Sequence, residues 1–566
     1  MGIYPDVRGK LSAYPAHDCG LGTRNSNSVS TPTRREKVIN EKEIMDTNVE
    51  DEEIINRQWT TKLRRKAVGE LPPQKLLPDS QPAYVSSWIY VFGVLTLSAL
   101  GVVAISGAIL ALFGPSWWQQ SPEGHFVNSL HLWSVELFFF FMVVHLWGKF
   151  FMAAWRGKRA LTWITGAISF LVSIGAAFTG YLSQQNFDSQ WIATQGKDGM
   201  NSIGIGAFFN LMNFGQMFMW HILLLPLLVV IIVGIHILGV RAKGVVPPIG
   251  ALENKQEYAK AWSGKVRPYD IIKEGTIALV IVSLLTVALS VVFSSPNKAP
   301  LTIQRWAKAD PTDFVTTAAT ELAGTSFSGS YGPPYNNGNG ALQYVGPISL
   351  QKLAGVRIPI NSAQDFVLQP LATIPNNPTL KDALNTYEAA TPSLQNIWNN
   401  NFAKADAKLA VNGNSISVPK GNYGPIPVLM KNLLTMANTG GLDADLENSH
   451  QFYGTDYTKP LLFMADGNYM ATLAQQDHLT GDQWGMMNET DKWPGQPWLW
   501  LYTMWYQIPP MSTSSNADAL VMSIMVLLTI GFASIPFIPG VRTIPEKVGL
   551  YKLIWRDFYK DQKSTK

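Results

Sequence analysis

The stretch SLHLWSVELFFFFMVVHLWGKFF, Ser129 to Phe151, decides the reading of this chain. It is almost wholly apolar and long enough to cross a bilayer, which needs about 20 residues. Yet it carries two imidazoles, His131 and His145. An ionisable side chain inside a span is costly and by default functional. The interval between them, 145 less 131, is nearly four helical turns, so both rings lie on one face, roughly 21 Å apart along the axis.

A second stretch has the same construction. WHILLLPLLVVIIVGIHILGVRAKG, Trp220 to Gly244, carries His221 and His236, one position further apart than the first pair. The rise is nearly the same, with the extra residue to be absorbed by a rotation or a local bend. The two spans cross in the same direction. Packed side by side they offer two histidine pairs, one near each membrane face. Neutral imidazole is a good axial ligand for haem iron, and two bis-histidine haems stacked across a membrane make an electron path. The interval of the first histidine pair recurs in glycine: Gly93 to Gly107 in the first span, and Gly166 to Gly180 in the third. Glycine permits close approach, and two flat macrocycles at two depths need gaps at two depths. A single intramembrane histidine or glycine pair is ordinarily packing. Four of each, with matched spacing, argue for a cofactor.

The rest of the chain supports a membrane protein. Apolar runs long enough to span lie near 85–113, 127–151, 163–183, 217–240, 271–294 and 517–538. Lys and Arg number 13 before the first span, 4 from Lys149 to the start of the third, 6 between the fourth and fifth, and 7 after the sixth. The opposite side carries none between the first two spans and only Lys197 between the third and fourth. The positive-inside rule then puts both termini in the cytoplasm, with 297–495 on the outer side of a cell membrane. That outer segment is too long for a plain loop and reads as a folded, loop-rich, mainly α domain. The single cysteine, Cys19, excludes an intramolecular disulfide framework, a cysteine zinc site, an iron–sulfur site and a C-x-x-C-H haem. A net charge of +4 gives no reason to expect nucleic acid. The opening segment, 1–80, is polar and mixed in charge. NVEDEEIINRQWTTKLRRKAV within it reads as an amphipathic helix at the inner interface.

The fold class is therefore an all-α polytopic membrane protein: a diheme four-helix bundle plus two further transmembrane helices, with the outer domain between the last two. The organisation reads as 1–84 cytoplasmic tail and interfacial helix, 85–245 diheme bundle, 246–296 loop and fifth span, 297–495 outer domain, 496–541 a segment returning to the membrane and the sixth span, and 542–566 a cytoplasmic tail.

VNSLHLWSVELFFFFMVVHLWGKFFMAAWRGKRALTWITG, TGYLSQQNFDSQW and GVRAKGVVPPIG resemble the cytochrome b family of bc-type quinol:cytochrome c reductases. The interval from His221 to His236 is similar to its b6-like branch. The resemblance covers about 85–295. It implies that His131 and His221 bind an outer-side b-type haem, and His145 and His236 an inner-side one. It implies a quinone substrate, Rieske iron–sulfur and c-type cytochrome subunits as partners, and a dimeric complex in the membrane lipid. By the same resemblance Arg241 and Asp270 mark an inner quinone site. GQPWLWLYTMWYQIPP, 495–510, stands for the family's PEWY segment and places Trp498 and Tyr502 at an outer quinol site. The tetrad's glutamate is missing, since Pro497 is followed by Trp498. Glu489 and Asp491 are nearby carboxylates, with a surface role as the plainer reading. Arg156, Lys158 and Arg159 are either membrane anchors or propionate partners. Some b6-like members attach an extra haem through a cysteine at the position of Val91, so no covalent haem is expected.

Three functions remain open at this point. The first is the core of a bc-type quinol oxidoreductase, catalytic only within its complex. The second is a non-bifurcating haem conduit between an outer dehydrogenase or reductase and the quinone pool. The third is a haem-free transporter using the histidines as a proton relay. His125, His450 and His478 read as structural.

Overall fold

In the computed structural model the described residues are 65–66, 68–69, 71–251, 262, 264–296, 298–405, 409–447, 455–480 and 496–564. Cys19, His450, Glu489, Asp491 and most of the amphipathic N-terminal segment lie outside them.

Among the described residues six helices are long and apolar enough to cross a membrane: Trp88–Phe113, Pro122–Phe151, Ala160–Leu182, Phe214–Lys243, Ile271–Phe293 and Ala517–Phe537. They are called the first to sixth spans below. The second begins ahead of its apolar run. Ser121 caps it, its Oγ accepting from the Gly124 N–H at 3.0 Å, with Pro122 in the first turn. The first and second spans pack along their length, as do the third and fourth. The fifth lies on the first and second, and the sixth on the third. The fourth span buries little of itself. Its Leu227, Val230 and Ile231 face outward, as lipid contact requires of a helix that is apolar all round.

One turn of the fourth span is not α. Trp220–Leu224 is a π turn, and Leu225–Lys243 continues as α-helix with Pro226 in its first turn. A π turn accommodates one extra residue, so the longer interval from His221 to His236 does the geometric work of the shorter one from His131 to His145. Pro226 also lacks the N–H that an α turn would use there.

At the end of the bundle that carries His131 and His221, a helix over Phe187–Ser202 lies across the spans, capped by Asn186. It is buried almost throughout, because the domain between the fifth and sixth spans sits on it. Gln190 brackets Leu301, donating to its carbonyl at 3.0 Å and accepting from its N–H at 2.8 Å. Trp191 Nε1 donates to the Leu479 carbonyl at 2.9 Å. Asn210 Nδ2 donates to Thr458 Oγ1 at 2.7 Å. Lys197, the one basic residue in its loop, is buried against the domain: its Nζ donates to the Thr194 carbonyl and lies over the Tyr331 ring at 5.3 Å. Among the described residues the domain is helical, with one short hairpin, Ala410–Asn412 with Ser415–Ser417. Its core is aromatic, built on Trp306, Phe314, Phe366 and Phe463 with ring centroids 5.2–5.7 Å apart.

At the opposite end, Ser80–Pro82 pairs antiparallel with Val266–Pro268. The chain leaving the fourth span has few amide donors around Pro247 and Pro248, and its carbonyls serve as acceptors. Tyr84 Oη donates to the Val245 carbonyl, Tyr90 Oη to Val246, Arg156 to Pro247 and Tyr559 Oη to Ile249, at 2.8–3.2 Å. The all-α expectation stands, with two small two-stranded ladders added.

Candidate functional site

The four histidines form two levels in the bundle. On the second span His131 and His145 face the first span, and on the fourth His221 and His236 face the third. Each meets one of the four spaced glycines. A Cβ on Gly107 would stand 3.0 Å from His131 Cε1, on Gly93 3.1 Å from His145 Cε1, and on Gly166 3.0 Å from His236 Cε1. On Gly180 it would run into the His221 ring. The glycines thus make room for the imidazoles, and Gly180 also lines the space between His131 and His221.

Second partners orient three of the rings. His131 Nδ1 meets Ser106 Oγ at 3.0 Å, His221 Nδ1 the Ala176 carbonyl at 2.8 Å, and His236 Nδ1 the Thr162 carbonyl at 3.0 Å. A carbonyl accepts, so Nδ1 of His221 and His236 carries the proton and Nε2 keeps its lone pair. That is the arrangement of an imidazole that ligates a metal through Nε2. His145 Nδ1 is buried with no hydrogen-bond partner.

At one level the rings of His131 and His221 have centroids 6.1 Å apart and planes at 84°. Metal–imidazole bonds of about 2 Å on each side fit one iron between them. A cavity lies there. Asn128, Gly180, Tyr181, Gln184 and Trp498 line it with the two histidines. The bare glycine, the proton-fixed Nδ1 and the cavity all fit a haem.

Trp498 closes this cavity. It is buried, stacks on Phe139 at 6.3 Å, meets Tyr181 edge-on at 6.4 Å, and donates from Nε1 to Gln496 at 2.7 Å. Tyr502 lies one turn on. Its hydroxyl is 2.9 Å from that of Tyr506, which donates to Asp518 at 2.7 Å. The sequence does not single out Tyr506 or Asp518. An aromatic and an acid on either side of a Pro-Pro turn carry no periodic signal.

The inner-end residues are less concentrated. Arg241 stands beside the Tyr269 hydroxyl, whose pKa is raised, chiefly by burial, with Glu274 adding to it and Arg241 opposing it. Asp270 caps the fifth span, accepting from the Lys273 N–H at 3.0 Å. Arg156 and Arg159 hold main-chain carbonyls, Arg159 donating to Lys243 at 2.6 Å. His125 bonds Ser294 Oγ at 2.9 Å.

Fold and site together define a polytopic helical protein whose bundle carries two stacked histidine pairs, each backed by glycine. The family model described as "Cytochrome b(N-terminal)/b6/petB" matches residues 136–300, starting just after His131. A cytochrome bc complex cytochrome b subunit of Chlorobaculum thiosulfatiphilum is 28% identical over 211 residues, 33% of this chain and 47% of that one. Cytochrome b6 of Heliobacterium mobile is 25% identical over 194 residues, 30% of this chain and 89% of that one. A menaquinol:cytochrome c reductase cytochrome b subunit of Bacillus subtilis is 30% identical over 110 residues, 18% of this chain and 49% of that one. The chain thus spans about half the length of the first and third of these relatives. A solved structure described as "Hyperthermophilic respiratory Complex III" aligns with a TM-score of 0.33 at 16% identity, over 71% of this chain and 100% of that one. Residues 136–300 are thus similar to the N-terminal, b6-like part of cytochrome b, within a chain that has six helices long and apolar enough to cross a membrane among its described residues.

Proposed function

We propose that this chain is a diheme b-type cytochrome that carries electrons across the membrane between quinol or quinone and redox partners, as the core of a bc-type quinol:cytochrome c oxidoreductase. The observation that carries this reading is the ladder itself: four intramembrane histidines at two levels, each against a bare glycine, with one ring pair spaced for a single iron. His131 and His221 would hold the outer haem, and His145 and His236 the inner one. When bound, each haem supplies a one-electron carrier within the bundle. The chain's own residues fix the imidazole tautomers and the ring positions. Arg241, beside Tyr269, and Asp270 belong to an inner quinone site, where a cation and a carboxylate suit charge stabilisation and proton delivery. Trp498 and Tyr502 belong to an outer quinol site. Both termini are cytoplasmic, in keeping with the basic loops at one end.

A Rieske-type iron–sulfur protein and a c-type cytochrome are the proposed partners, in a dimeric complex. The absent glutamate after Pro497 and the large outer domain favour a second reading, a non-bifurcating conduit to an outer dehydrogenase or reductase. Purification of the intact complex decides between them. A reduced b-type α-band that titrates as two components, each lost with its own pair (His131→Ala or His221→Ala against His145→Ala or His236→Ala), supports two haems. A copurified iron–sulfur subunit supports the first reading and its absence the second. No haem band at all would sink both and leave a histidine proton relay.

A further inference from the structure

We propose that Tyr502, Tyr506 and Asp518 form the proton exit of the outer quinol site, a hydrogen-bonded chain that takes a proton from a quinol hydroxyl and delivers it to the Asp518 carboxylate. This rests on the quinol chemistry proposed above and supplies the acid that the segment 495–510 lacks.

The chain is built from three parts of the molecule. Tyr502 and Tyr506 come from the helical segment that returns to the membrane. Asp518 stands in the first turn of the sixth span, where a helix N-terminus favours a negative charge. Gln343 reaches in from the outer domain. Its Nε2 donates to Asp518 Oδ2 at 2.6 Å, and its Oε1 accepts from the Ala519 N–H at 3.0 Å. Tyr506 donates to the other carboxylate oxygen at 2.7 Å. The carboxylate is therefore held at both oxygens by neutral groups. Among the described residues Asp518 has no ion-pair partner, so no cation occupies the place where the proton arrives.

The hydrogen-bond directions set the polarity of the chain. An ionised carboxylate only accepts, so Tyr506 spends its single proton on Asp518. Tyr502 must then donate to Tyr506 across their 2.9 Å contact. Tyr502 is left with a free lone pair and no free proton. The end of the chain farthest from Asp518 can therefore only receive a proton, which is what a quinol hydroxyl needs.

The phenols are suited to passing protons rather than holding charge. Burial pushes Tyr502 up to about 12, with Asp518 and Asp198 adding to it against the opposing Tyr506 contact. Tyr506 is raised further, again first by burial and then by Tyr502 and Asp518. Both stay neutral in the working range. The charged group facing them from the outer helix is Asp198. It is engaged elsewhere, with Lys197 Nζ at 3.1 Å and the Tyr331 hydroxyl donating to it.

The relay starts close in sequence to the cavity lining. Trp498, on the rim of the His131–His221 cavity, precedes Tyr502 by about one helical turn. Gly199 of the outer helix makes room for the hydroxyl: a Cβ there would stand 3.0 Å from Tyr502 Oη.

Quinol oxidation releases two protons and two electrons. On this route one quinol O–H breaks as an O–H forms on Tyr502, the Tyr502 proton passes to Tyr506, and the Tyr506 proton passes to Asp518. Asp518 ends as the carboxylic acid and releases its proton to outer-side water. The two electrons would leave one at a time, one to the haem that His131 and His221 would hold and one to the outer iron–sulfur or haem protein proposed as partner, and the second quinol proton would pass to outer-side water.

The test uses the intact complex, with a chemically reduced short-chain ubiquinol and menaquinol analogue tried in turn. Asp518→Asn and Tyr506→Phe are expected to slow quinol-driven haem reduction about 100-fold, the lower end of what a positioned acid–base group contributes. The haem spectrum and midpoint potentials stay as in the wild type, and the steepness of the rate's rise with pH changes. Asp518→Glu recovers most of the rate. Redox-difference infrared spectra gain a protonated-carboxyl C=O band on quinol oxidation, and Asp518→Asn lacks it. If the wild type oxidises quinol and both variants keep its rate and pH profile, the relay is wrong while the quinol site stands. If the wild type oxidises neither quinol, the quinol reading itself fails.

Discussion

Alanine at the ladder glycines opposes two effects whose sizes can be compared. Gly→Ala inside a helix gains roughly 1 kcal/mol in propensity. At Gly234 and Gly275, also within spans, an added Cβ meets nothing within 4 Å. Those two substitutions should be neutral, or stabilising by up to about 1 kcal/mol. At Gly107 and Gly166 the Cβ would stand 3.0 Å from a histidine Cε1. Carbon atoms are most comfortable at about 3.5–4.0 Å, so each ring must recede by about 0.5 Å or more. The rings are hydrogen-bonded on that same side, and overpacking a fixed group costs about 1–3 kcal/mol. The net change in stability is then about 0–2 kcal/mol unfavourable. The effect on haem is larger, because half an ångström is a quarter of an about 2 Å metal–nitrogen bond. His145 has no Nδ1 partner to hold it, so Gly93→Ala should be the mildest of the four. Gly180→Ala, against the closest ring, should be the most severe. The assay is the haem-to-protein ratio from the pyridine haemochrome spectrum of detergent-solubilised protein, alongside its thermal melt. Full haem in Gly180→Ala, or an equal loss in Gly234→Ala, would refute the reasoning.

Three further outcomes follow from the geometry. Arg159→Ala removes charged donors from the Lys243 and Gly244 carbonyls at the exit of the fourth span; a loss of about 2–4 kcal/mol is expected, read as a lower melting temperature with only partial recovery in Arg159→Lys. Glu321, in the outer domain, is held well above its ordinary 4.5, chiefly by burial and then by the Asp466 carboxyl beside it. Its folded state keeps the proton that the unfolded chain loses, so stability is full below 4.5 and falls as pH rises from there through the raised value; Glu321→Gln should flatten that fall in melts taken across pH, and an unchanged slope would count against it. Asp313 accepts from Trp306 Nε1, the Asn468 N–H and side chain, and the Tyr469 N–H at 2.8–3.1 Å. Asp313→Ala strands four donors and should cost about 3–5 kcal/mol, measured by denaturant melts with Trp fluorescence as the probe.

The spans and the histidine ladder were legible because both depend on local composition and on helical period. Apolar runs give their own length, and a near-whole number of helical turns returns a side chain to its starting face. What the sequence left open was set by contacts between distant segments or by groups without period. The second span starts at Pro122 because a polar serine caps it, where hydropathy places the start at 127. The interval from His221 to His236 asks for a rotation or bend; its form is a π turn ahead of Pro226, in the turn that carries His221 against Gly180. Pairing of Ser80–Pro82 with Val266–Pro268 joins strands too short to announce themselves. A degenerate motif marks Trp498 as a quinol-site residue, without its place on the rim of the outer histidine cavity. Asp518 looks like an ordinary first-turn acid of the last span. Only the fold brings Gln343 to it, across a sequence separation of 175.

The glycine backing has a consequence for speed. Each imidazole has a neighbouring helix backbone directly behind it, and three also have a hydrogen bond fixing their rotation. In the diheme reading proposed above, rings held this way would move little as the charge in front of them changes, so the nuclear rearrangement on gain or loss of an electron would be small. Four residues with no side chain would then help to set how fast electrons cross the bundle.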